Sequence, residues 1–247
     1  MATSPTGLMK VLTRPTYVDF YLNKTAAKTT SLSGHYKTQD NTGTPFYTIR
    51  FSTHEGFQYS TETGLRPFLE DLYGRTGTEN EELIALFDDD ERTYDLTTYN
   101  GDLTEAQQNQ LKVIDVGDSY SPSLPHPFVE INTHAVTGSP SGLLFKKGDF
   151  LQPKGLSDNY RYPYQVIQDV SYSASSNIGV MVNRPIISQT GVTFDPTTNP
   201  GPGYSGGIAC GKNVRFTTKV TKLPTYSVVP HDRVRFNGEF ELVEVIL

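Results

Sequence analysis

Apolar and polar residues alternate most regularly over residues 143–187. Short runs of mainly apolar residues at 143–145 and 150–152 flank the polar, glycine-containing segment 146–149, and this arrangement predicts a hairpin with a tight turn. Residues 164–183 continue with apolar side chains at or near every second position. Since successive side chains of a strand point to opposite faces, this period predicts strands with one buried face. We expect them to form the core sheet of an antiparallel β domain.

Further β-forming runs lie on both sides of this sheet. Each combines branched or aromatic residues with turn-forming neighbours, which favours short strands. The strongest turn signal is Asn237-Gly238 between alternating runs, and it predicts a second hairpin over 233–242. The remaining predicted strands cover residues 46–51, 128–132, 208–220 and 226–229.

A helical period replaces the alternation in part of residues 64–114. Leucine and phenylalanine recur at three- and four-residue intervals over 64–73, which predicts a short helix. Capping-box sequences that begin at Thr78 and Thr104 predict two more helices, the second running to about Ile114. We therefore expect a small, mainly helical insertion between β segments.

Changes in composition indicate the domain organisation. Residues 8–22 are expected to be extended, and 23–44, rich in Lys, Thr, Ser and Asn, to form a long loop or arm. A mobile surface loop and an arm that reaches a neighbouring subunit both fit 23–44. The proline-rich segment 121–127 is a stiff connector. We predict an N-terminal β segment with the arm and helices over 1–120, and a C-terminal antiparallel β domain over 121–247.

The composition favours a β-rich chain that acts through its surfaces. Charged residues make up 19% of the 247 residues, whereas 15 Tyr and 13 Phe supply rings that suit sheets and interfaces. The formal net charge of −6 disfavours sequence-independent nucleic-acid binding, which needs a basic excess. Cys210 is the single cysteine, so no internal disulfide is expected, and no apolar run is long enough to predict a membrane span.

A sequence similar to a serine-protease motif is the most suggestive chemical feature. Residues 203–207 read Gly-Tyr-Ser-Gly-Gly, close to the Gly-Asp-Ser-Gly-Gly of trypsin-like proteases, with Ser205 at the nucleophile position. Tyr204 replaces the acid, and the histidines lack the Ala-Ala-His-Cys setting of that family. We therefore interpret 190–207 as a Gly- and Pro-rich loop. The histidines that precede Ser205 are His35, His54, His126 and His134.

The remaining candidate sites are better explained by structure than by chemistry. The acidic run 88–91 lacks the spacing and glycine turn of a calcium loop. The histidine pairs lack zinc spacing, and Cys210 has the apolar neighbours expected of a core residue. We interpret Glu239, Glu241 and Glu244 as one exposed strand face rather than as paired catalytic carboxylates. No catalytic, cofactor-binding or metal-binding residue is predicted, and hence no enzyme.

The C-terminal part of the chain carries a series of short strand and turn sequences. They are Lys-Gly-Asp-Phe (147–150), Tyr-Pro-Tyr-Gln-Val (162–166), Asn-Arg-Pro-Ile (183–186), Gly-Lys-Asn-Val-Arg-Phe (211–216), Leu-Pro-Thr-Tyr (223–226) and Phe-Asn-Gly-Glu-Phe (236–240). Together, over residues 142–247, they resemble the tail-tube-like β domain of tailed-bacteriophage tube, distal-tail and baseplate-hub proteins. The resemblance implies an antiparallel β-sandwich or barrel, here with the small helical insertion.

The resemblance also implies a virion structural protein that acts by assembly. We expect a homo-oligomeric ring, with a hexamer favoured, bound to neighbouring tail tube and baseplate proteins. DNA or the tape-measure protein would pass through the lumen without specific binding, and an acidic balance suits such a channel because like charge reduces sticking. No membrane association is expected. The implied location is the virion tail, assembled in the host cytoplasm.

Two other functions remain open. One is a receptor- or carbohydrate-binding tail appendage, for which Tyr160-Arg161-Tyr162 and the loop at 196–207 are the candidate contact segments. The other is a head–tail joining (neck) protein, which differs from the first function only in its location.

Overall fold

Antiparallel strands make up most of the regular structure, so the predicted mainly β fold is confirmed. Contacts divide the chain into unit 1, within Met1–Tyr94 and Phe216–Ile246, and unit 2, within Asp95–Arg215. The computed structural model describes residues 8–12, 15–24, 26–30, 36–40, 44–53, 57–59, 65–74, 81–84, 96–117, 126–134, 136–138, 140–155, 162–174, 177–187 and 204–246.

The regular elements are short, and three of them are α-helical in the described residues. A 3-10 turn covers Gly211–Asn213. In chain order the helices and strands are α1 (Leu8–Leu12), β1 (Pro15–Asn23), β2 (Ala26–Thr30), β3 (Tyr36–Asp40), β4 (Phe46–Thr53), β5 (Phe57–Gln58), α2 (Arg66–Gly74), β6 (Glu81–Ile84), α3 (Glu105–Gln108), β7 (Lys112–Gly117), β8 (Phe128–Asn132), β9 (Leu143–Phe145), β10 (Phe150–Gly155), β11 (Tyr164–Gln165), β12 (Val170–Ser171), β13 (Ile178–Met181), β14 (Tyr204–Cys210), β15 (Phe216–Lys222), β16 (Thr225–Val229), β17 (Arg233–Asn237) and β18 (Phe240–Glu244).

Unit 1 contains a five-stranded sheet of order β1-β4-β18-β15-β6 and a three-stranded sheet of order β16-β17-β5. Phe51 and Phe240 of the larger sheet stack with their ring centroids 4.8 Å apart. Phe236 of the smaller sheet meets Phe240 edge-on at 5.2 Å. The two sheets therefore share an aromatic core, as the sheets of a β-sandwich do.

The first element differs from the extended segment predicted over 8–22. The structure has helix α1 before strand β1. Leu8, Val11 and Leu12 are fully buried, and their spacing places them on one face of a helix. Pro15 then starts β1, because a first strand position does not need its missing N–H.

Of the three predicted helices, only α2 forms as expected. The predicted helix after Thr78 is wrong, since β6 occupies this region and pairs antiparallel with β15. The capping box at Thr104 does form, with the Gln107 N–H donating to Thr104 Oγ1 at 3.4 Å. However, α3 ends at Gln108, and β7 begins at Lys112. The predicted small helical part is therefore present as α2 and α3, but β6 and β7 interrupt it, because strand pairing with distant segments outweighs the local helix signals there.

Both predicted hairpins are instead corners between sheets. The turn at 146–149 exists, with Gly148 at φ 100°, but β9 pairs with β12 while β10 pairs with β11 and β14. Likewise β17 pairs with β16 and β5, while β18 pairs with β15 and β4. A type I′ hairpin turn needs positive φ at both central residues. Gly238 has φ 111°, whereas Asn237 does not have positive φ.

The segment predicted as a long loop or arm over 23–44 contains a β-hairpin. Strands β2 and β3 pair antiparallel from Ala26 opposite Asp40 to Thr30 opposite Tyr36. Among the described residues they form a sheet of their own. In the chain the hairpin lies between β1 and β4, whose own pairing ends at Asn23 opposite Phe46.

The region predicted as a loop over 190–207 and a strand over 208–220 divides differently. Strand β14 already begins at Tyr204, so the end of the predicted loop is wrong. Strand β14 ends at Cys210, the 3-10 turn follows with Gly211 at φ 54°, and β15 begins at Phe216. Residues 188–203 lie outside the described part.

Unit 2 contains a six-stranded sheet of order β11-β10-β14-β7-β8-β13 and the pair β12-β9. An antiparallel bridge between Val166 and Val182 joins the chain after β11 to the chain after β13. The Asn183 N–H donates to the Gln165 carbonyl at 3.0 Å beside this bridge. The two outer strands of this sheet are therefore joined at one end and do not run free along their whole length.

The observed units differ from the predicted domains in their connectivity. The predicted boundary at 120/121 falls within unit 2, and the connector at 121–125 lies outside the described residues. Unit 1 takes its last strands from the C-terminal end of the chain, because β18 pairs with β4.

Candidate assembly surface

Strand β1 is an edge strand of unit 1 and is unpaired on one side among the described residues. It pairs with β4 from Tyr17 opposite Ser52 to Asn23 opposite Phe46, after a bulge near Pro15. An edge of this length presents a row of free N–H and C=O groups that can pair with another strand. This edge and the side chains on its two faces are called the β1 edge below.

The outer face of the β1 edge carries a charged row that crosses the sheet. The register aligns Asp19, Arg50 and Glu241 on three adjacent strands. Arg50 Nε lies 2.7 Å from Glu241 Oε2, and Thr221 Oγ1 lies 3.0 Å from Glu241 Oε1. The hydrogen bond from Arg50 is the main cause that lowers the pKa of the Glu241 carboxyl group. Glu241 therefore stays ionised and fixes the row.

Tyrosine residues flank this row. The Tyr17 hydroxyl donates to Glu239 Oε1, and Lys222 Nζ lies 3.5 Å from Glu239 Oε2. The hydrogen bond to Glu239, followed by burial, raises the pKa of Tyr17 to about 12, so its hydroxyl remains a donor at neutral pH. The Arg50 guanidinium lies 5.7 Å from the centre of the Tyr21 ring. Tyr17 and Tyr21 are 37% and 38% exposed, so their rings are available to a partner.

The inner face of the β1 edge is apolar and incompletely covered. Val18, Phe20 and Leu22 are half-buried, whereas the facing residues of β4 are buried. Phe20 stacks on Tyr47 at 4.8 Å and meets Phe216 edge-on at 5.3 Å. The core of unit 1 therefore reaches β1 and stays partly open there.

A second aromatic group lies where the three-stranded sheet meets α2. The Tyr226 ring is 5.1 Å from the Tyr73 ring and 6.5 Å from the Tyr59 ring. Arg66 Nε and Glu70 Oε1 form an exposed ion pair at 2.7 Å on the same helix. Burial, then the neighbouring Tyr59, raises the pKa of Tyr226, so this hydroxyl is also a donor at neutral pH. We call these five residues the tyrosine patch.

The candidate protease-like motif lies mainly in strand β14. Ser205 is in this strand, outside the residues whose side chains are described, and Cys210 at its end is buried, as predicted. His126 and His134 are exposed. Within the described ranges, no three His, Cys, Asp or Glu side chains are arranged to hold a metal ion. His35, His54 and the acidic run 88–91 lie outside those ranges.

The three C-terminal glutamates do not share one exposed face, so that interpretation is wrong for one of them. Glu239 and Glu241 belong to the outer row of ion pairs. Glu244 is buried at 4% exposure on the inner face, where its Oε2 accepts the Tyr47 N–H at 3.0 Å. A strand changes face at every residue, so the two-residue spacing that joins 239 and 241 cannot also include 244.

The segments proposed for carbohydrate contact are only partly described. Tyr162 is buried at 7% exposure, which leaves little ring surface for a sugar. Tyr160, Arg161 and residues 196–203 lie outside the described part. Sequence reasoning missed the β1 edge, although the alternation of Tyr17 and Tyr21 with apolar residues is a signal that could have found its exposed face.

The described helices are all too short or too polar to cross a membrane. No protein-family model matches the chain, and no curated protein sequence matches it significantly.

Proposed function

We propose that the chain is a virion structural protein of a phage tail. It forms part of a ring, with a hexamer favoured, at the tail tube or baseplate hub, and it acts by assembly around the DNA channel. The observation that carries this proposal is the open β1 edge with its hairpin arm, in a protein of sandwich-like antiparallel sheets. The sequence resemblance over residues 142–247 supplies the tail context.

The open edge supports assembly because exposed edges are a liability for a protein that works alone. Proteins that must stay monomeric shorten such edges, turn charges inward or cover them. The inner side of β1 carries Val18, Phe20 and Leu22 and no charge. In unit 2, by contrast, the bridge between Val166 and Val182 joins the two outer strands.

The hairpin arm of β2 and β3 supports the same function. A two-stranded hairpin alone is marginally stable in water, because it has no sheet face to bury. Its strands, Ala26–Thr30 and Tyr36–Asp40, are mostly polar and pair with no third strand in the described residues. Contact with a neighbouring subunit would provide the missing support. The net charge of −6 suits a lumen through which DNA passes without binding.

Removal of the arm tests the proposal directly. A variant in which residues 25–43 are replaced by a short Gly/Ser linker keeps the pairing of β1 with β4. We expect the wild-type protein to form rings in negative-stain images and in sedimentation velocity, and the variant to lose them. A wild-type protein that forms no ring at roughly 100 µM, well above the concentration at which micromolar contacts form, contradicts the proposal. So does its absence from the tail when virions are labelled with an antibody.

The tyrosine patch favours a second function, a receptor- or carbohydrate-binding tail appendage. Partly exposed tyrosine rings beside an Arg–Glu ion pair offer stacking surfaces and hydrogen-bond donors. If this function is correct, glycan-array binding by the wild type is lost in Tyr226→Ala and kept in Tyr21→Ala, which removes an exposed ring elsewhere. A head–tail joining role differs in position, and antibody labelling at the neck rather than the distal end would indicate it.

A further inference from the structure

We infer that the β1 edge pairs antiparallel with β1 of a second copy around a two-fold axis, so that two five-stranded sheets become one continuous sheet. This contact is additional to the proposed ring: it uses the β1 edge, whereas the ring is closed through the hairpin arm. Three features of the edge argue for a second copy: β1 has no strand partner on one side among the described residues, its apolar row is half-buried, and its charges are ordered along the strand. Isologous pairing is the commonest way in which identical subunits associate.

The alternation of side chains limits the possible registers. A two-fold axis perpendicular to the sheet lies midway between one residue and the same residue of the second copy. With such an axis, the apolar side chains of both copies lie on the same face of the joined sheet. An axis at Asp19 would place two carboxylates opposite each other, which is destabilising. An axis at Tyr21 would place Val18 opposite the exposed Lys24 and shorten the ladder. These two registers are therefore unfavourable.

The axis at Phe20 satisfies both faces. Val18 then faces Leu22 of the second copy on the inner side, and the apolar row of the core continues across the interface. Asp19 faces Tyr21 of the second copy on the outer side, where a phenol can donate to a carboxylate. Because the pairing is two-fold symmetric, each of these contacts occurs twice. The strands overlap from Tyr17 to Asn23.

Disulfide trapping tests the register. Paired residues of antiparallel strands have Cα atoms about 4.5–5.5 Å apart, within the range that a disulfide spans. The double variant Asp19→Cys/Tyr21→Cys should therefore form a covalent dimer in a glutathione redox buffer. Each single variant should stay monomeric on a non-reducing gel, because neither residue faces itself. The native Cys210 is buried and serves as the background in every sample.

A charge directed into the edge tests the interface without a crosslink. Val18→Lys places an ammonium group in the inner row, and we expect a dimer dissociation constant at least about tenfold weaker in sedimentation equilibrium. Val228→Lys is the matched control, because Val228 is 48% exposed on β16, the outer strand of the other sheet. It should dimerise like the wild type. Thermal unfolding of both variants shows whether they remain folded, and the crosslinking test does not depend on the result.

Several results would overturn the inference. They are a wild-type protein that is monomeric at roughly 100 µM, a double cysteine variant that does not crosslink, a single variant that does, and equal dimerisation of the two lysine variants. The ring is tested separately. Crosslinked dimers without rings contradict only the proposed function, and rings whose β1 strands do not crosslink contradict only the two-fold contact.

Discussion

The buried carboxylate of Asp149 is expected to hold the 146–149 turn of unit 2 in place. Asp149 has 0% exposure. Its Oδ1 accepts the Asn100 backbone N–H at 3.0 Å and the Asn100 Nδ2–H at 2.8 Å, and its Oδ2 accepts the Lys146 N–H at 2.9 Å. The side chain therefore ties the 96–104 segment to the corner between β9 and β10.

Replacement of Asp149 by Ala removes all three hydrogen bonds. A bond to a charged group contributes about 1.5–3 kcal/mol, but the freed donors belong to exposed residues and regain water, so we expect a loss of about 2–4 kcal/mol. Asp149→Asn should lose about half as much, because its Oδ1 can still accept from Asn100 while its amide group faces the Lys146 N–H donor.

Asp169, just before β12, provides a matched control because it contacts the same turn. Its Oδ1 accepts the Lys147 N–H at 2.8 Å, but the side chain is exposed. Water can replace this bond, so Asp169→Ala should cost no more than about 0.5–1 kcal/mol.

Urea unfolding followed by far-UV circular dichroism measures the difference, since the chain has no tryptophan to report on it. With a slope of about 2 kcal/mol/M, Asp149→Ala should lower the unfolding midpoint by roughly 1–2 M. Equal midpoints for the Asp149 and Asp169 alanine variants would refute the reasoning that burial decides the value of these bonds.

Three further substitutions test the strand ladders and the corner. Glu130 lies opposite Asp115 on β8 and β7, and burial, then this like charge, raises the pKa of Glu130. In the folded state Glu130 therefore keeps its proton to a higher pH, so the stability of the protein should fall as the pH rises from the ordinary Glu pKa to the raised one. Glu130→Gln should remove this pH dependence. At a pH above the raised pKa it should stabilise the protein by up to about 1 kcal/mol, as measured by thermal unfolding at a series of pH values. In Gly238→Ala the added Cβ makes only ordinary van der Waals contacts, but an alanine would have to adopt φ 111°, which is strained. The substitution should therefore lower the free energy of unfolding by more than about 1 kcal/mol in a urea titration. Glu244→Ala frees the buried Tyr47 N–H and should cost about 1–3 kcal/mol in the same assay, and an unchanged midpoint would contradict a role for this bond.

The positions of many strands follow from the sequence because side-chain alternation is local. Val166 and Val180 are buried where the period predicts, and the capping box at Thr104 forms as its spacing requires. The pairing of the strands is not local. A glycine turn such as Gly238 reverses or bends the chain equally well, and only the hydrogen-bonding groups of distant strands decide whether the result is a hairpin or a corner.

The hairpin between β16 and β17 shows the opposite case. It is joined by Pro230-His231-Asp232, a sequence without glycine, yet His231 and Asp232 have φ of 70° and 57°. Asp tolerates this conformation better than most residues, but the signal is weak in a sequence. The antiparallel pairing of β16 with β17, from Thr225 opposite Asn237 to Val229 opposite Arg233, holds the turn in this conformation.

The β1 edge could not be predicted from the sequence, because it depends on the order of the strands in the sheet. The alternation of Tyr17, Asp19 and Tyr21 predicts an exposed strand face, but an edge is defined by the strand that is missing beside it. Glu244 illustrates the same limit, since its burial depends on the Tyr47 N–H of β4, nearly two hundred positions away in the chain. Sequence patterns thus indicate faces, whereas edges and buried polar contacts require the fold.

The β1 edge and the hairpin arm belong to two separate sheets, but they follow each other closely in the chain. The pairing of β1 with β4 ends at Asn23 opposite Phe46, and the pairing of β2 with β3 begins at Ala26 opposite Asp40. A partner that binds the arm therefore also restricts the strand that forms the edge, because the two are separated by only the residues at 24–25. If the arm binds a neighbouring subunit and β1 also pairs with a second copy, formation of one contact reduces the entropic cost of forming the other. Loss of the arm should then weaken β1 crosslinking as well, whereas Val18→Lys should leave the arm hairpin intact.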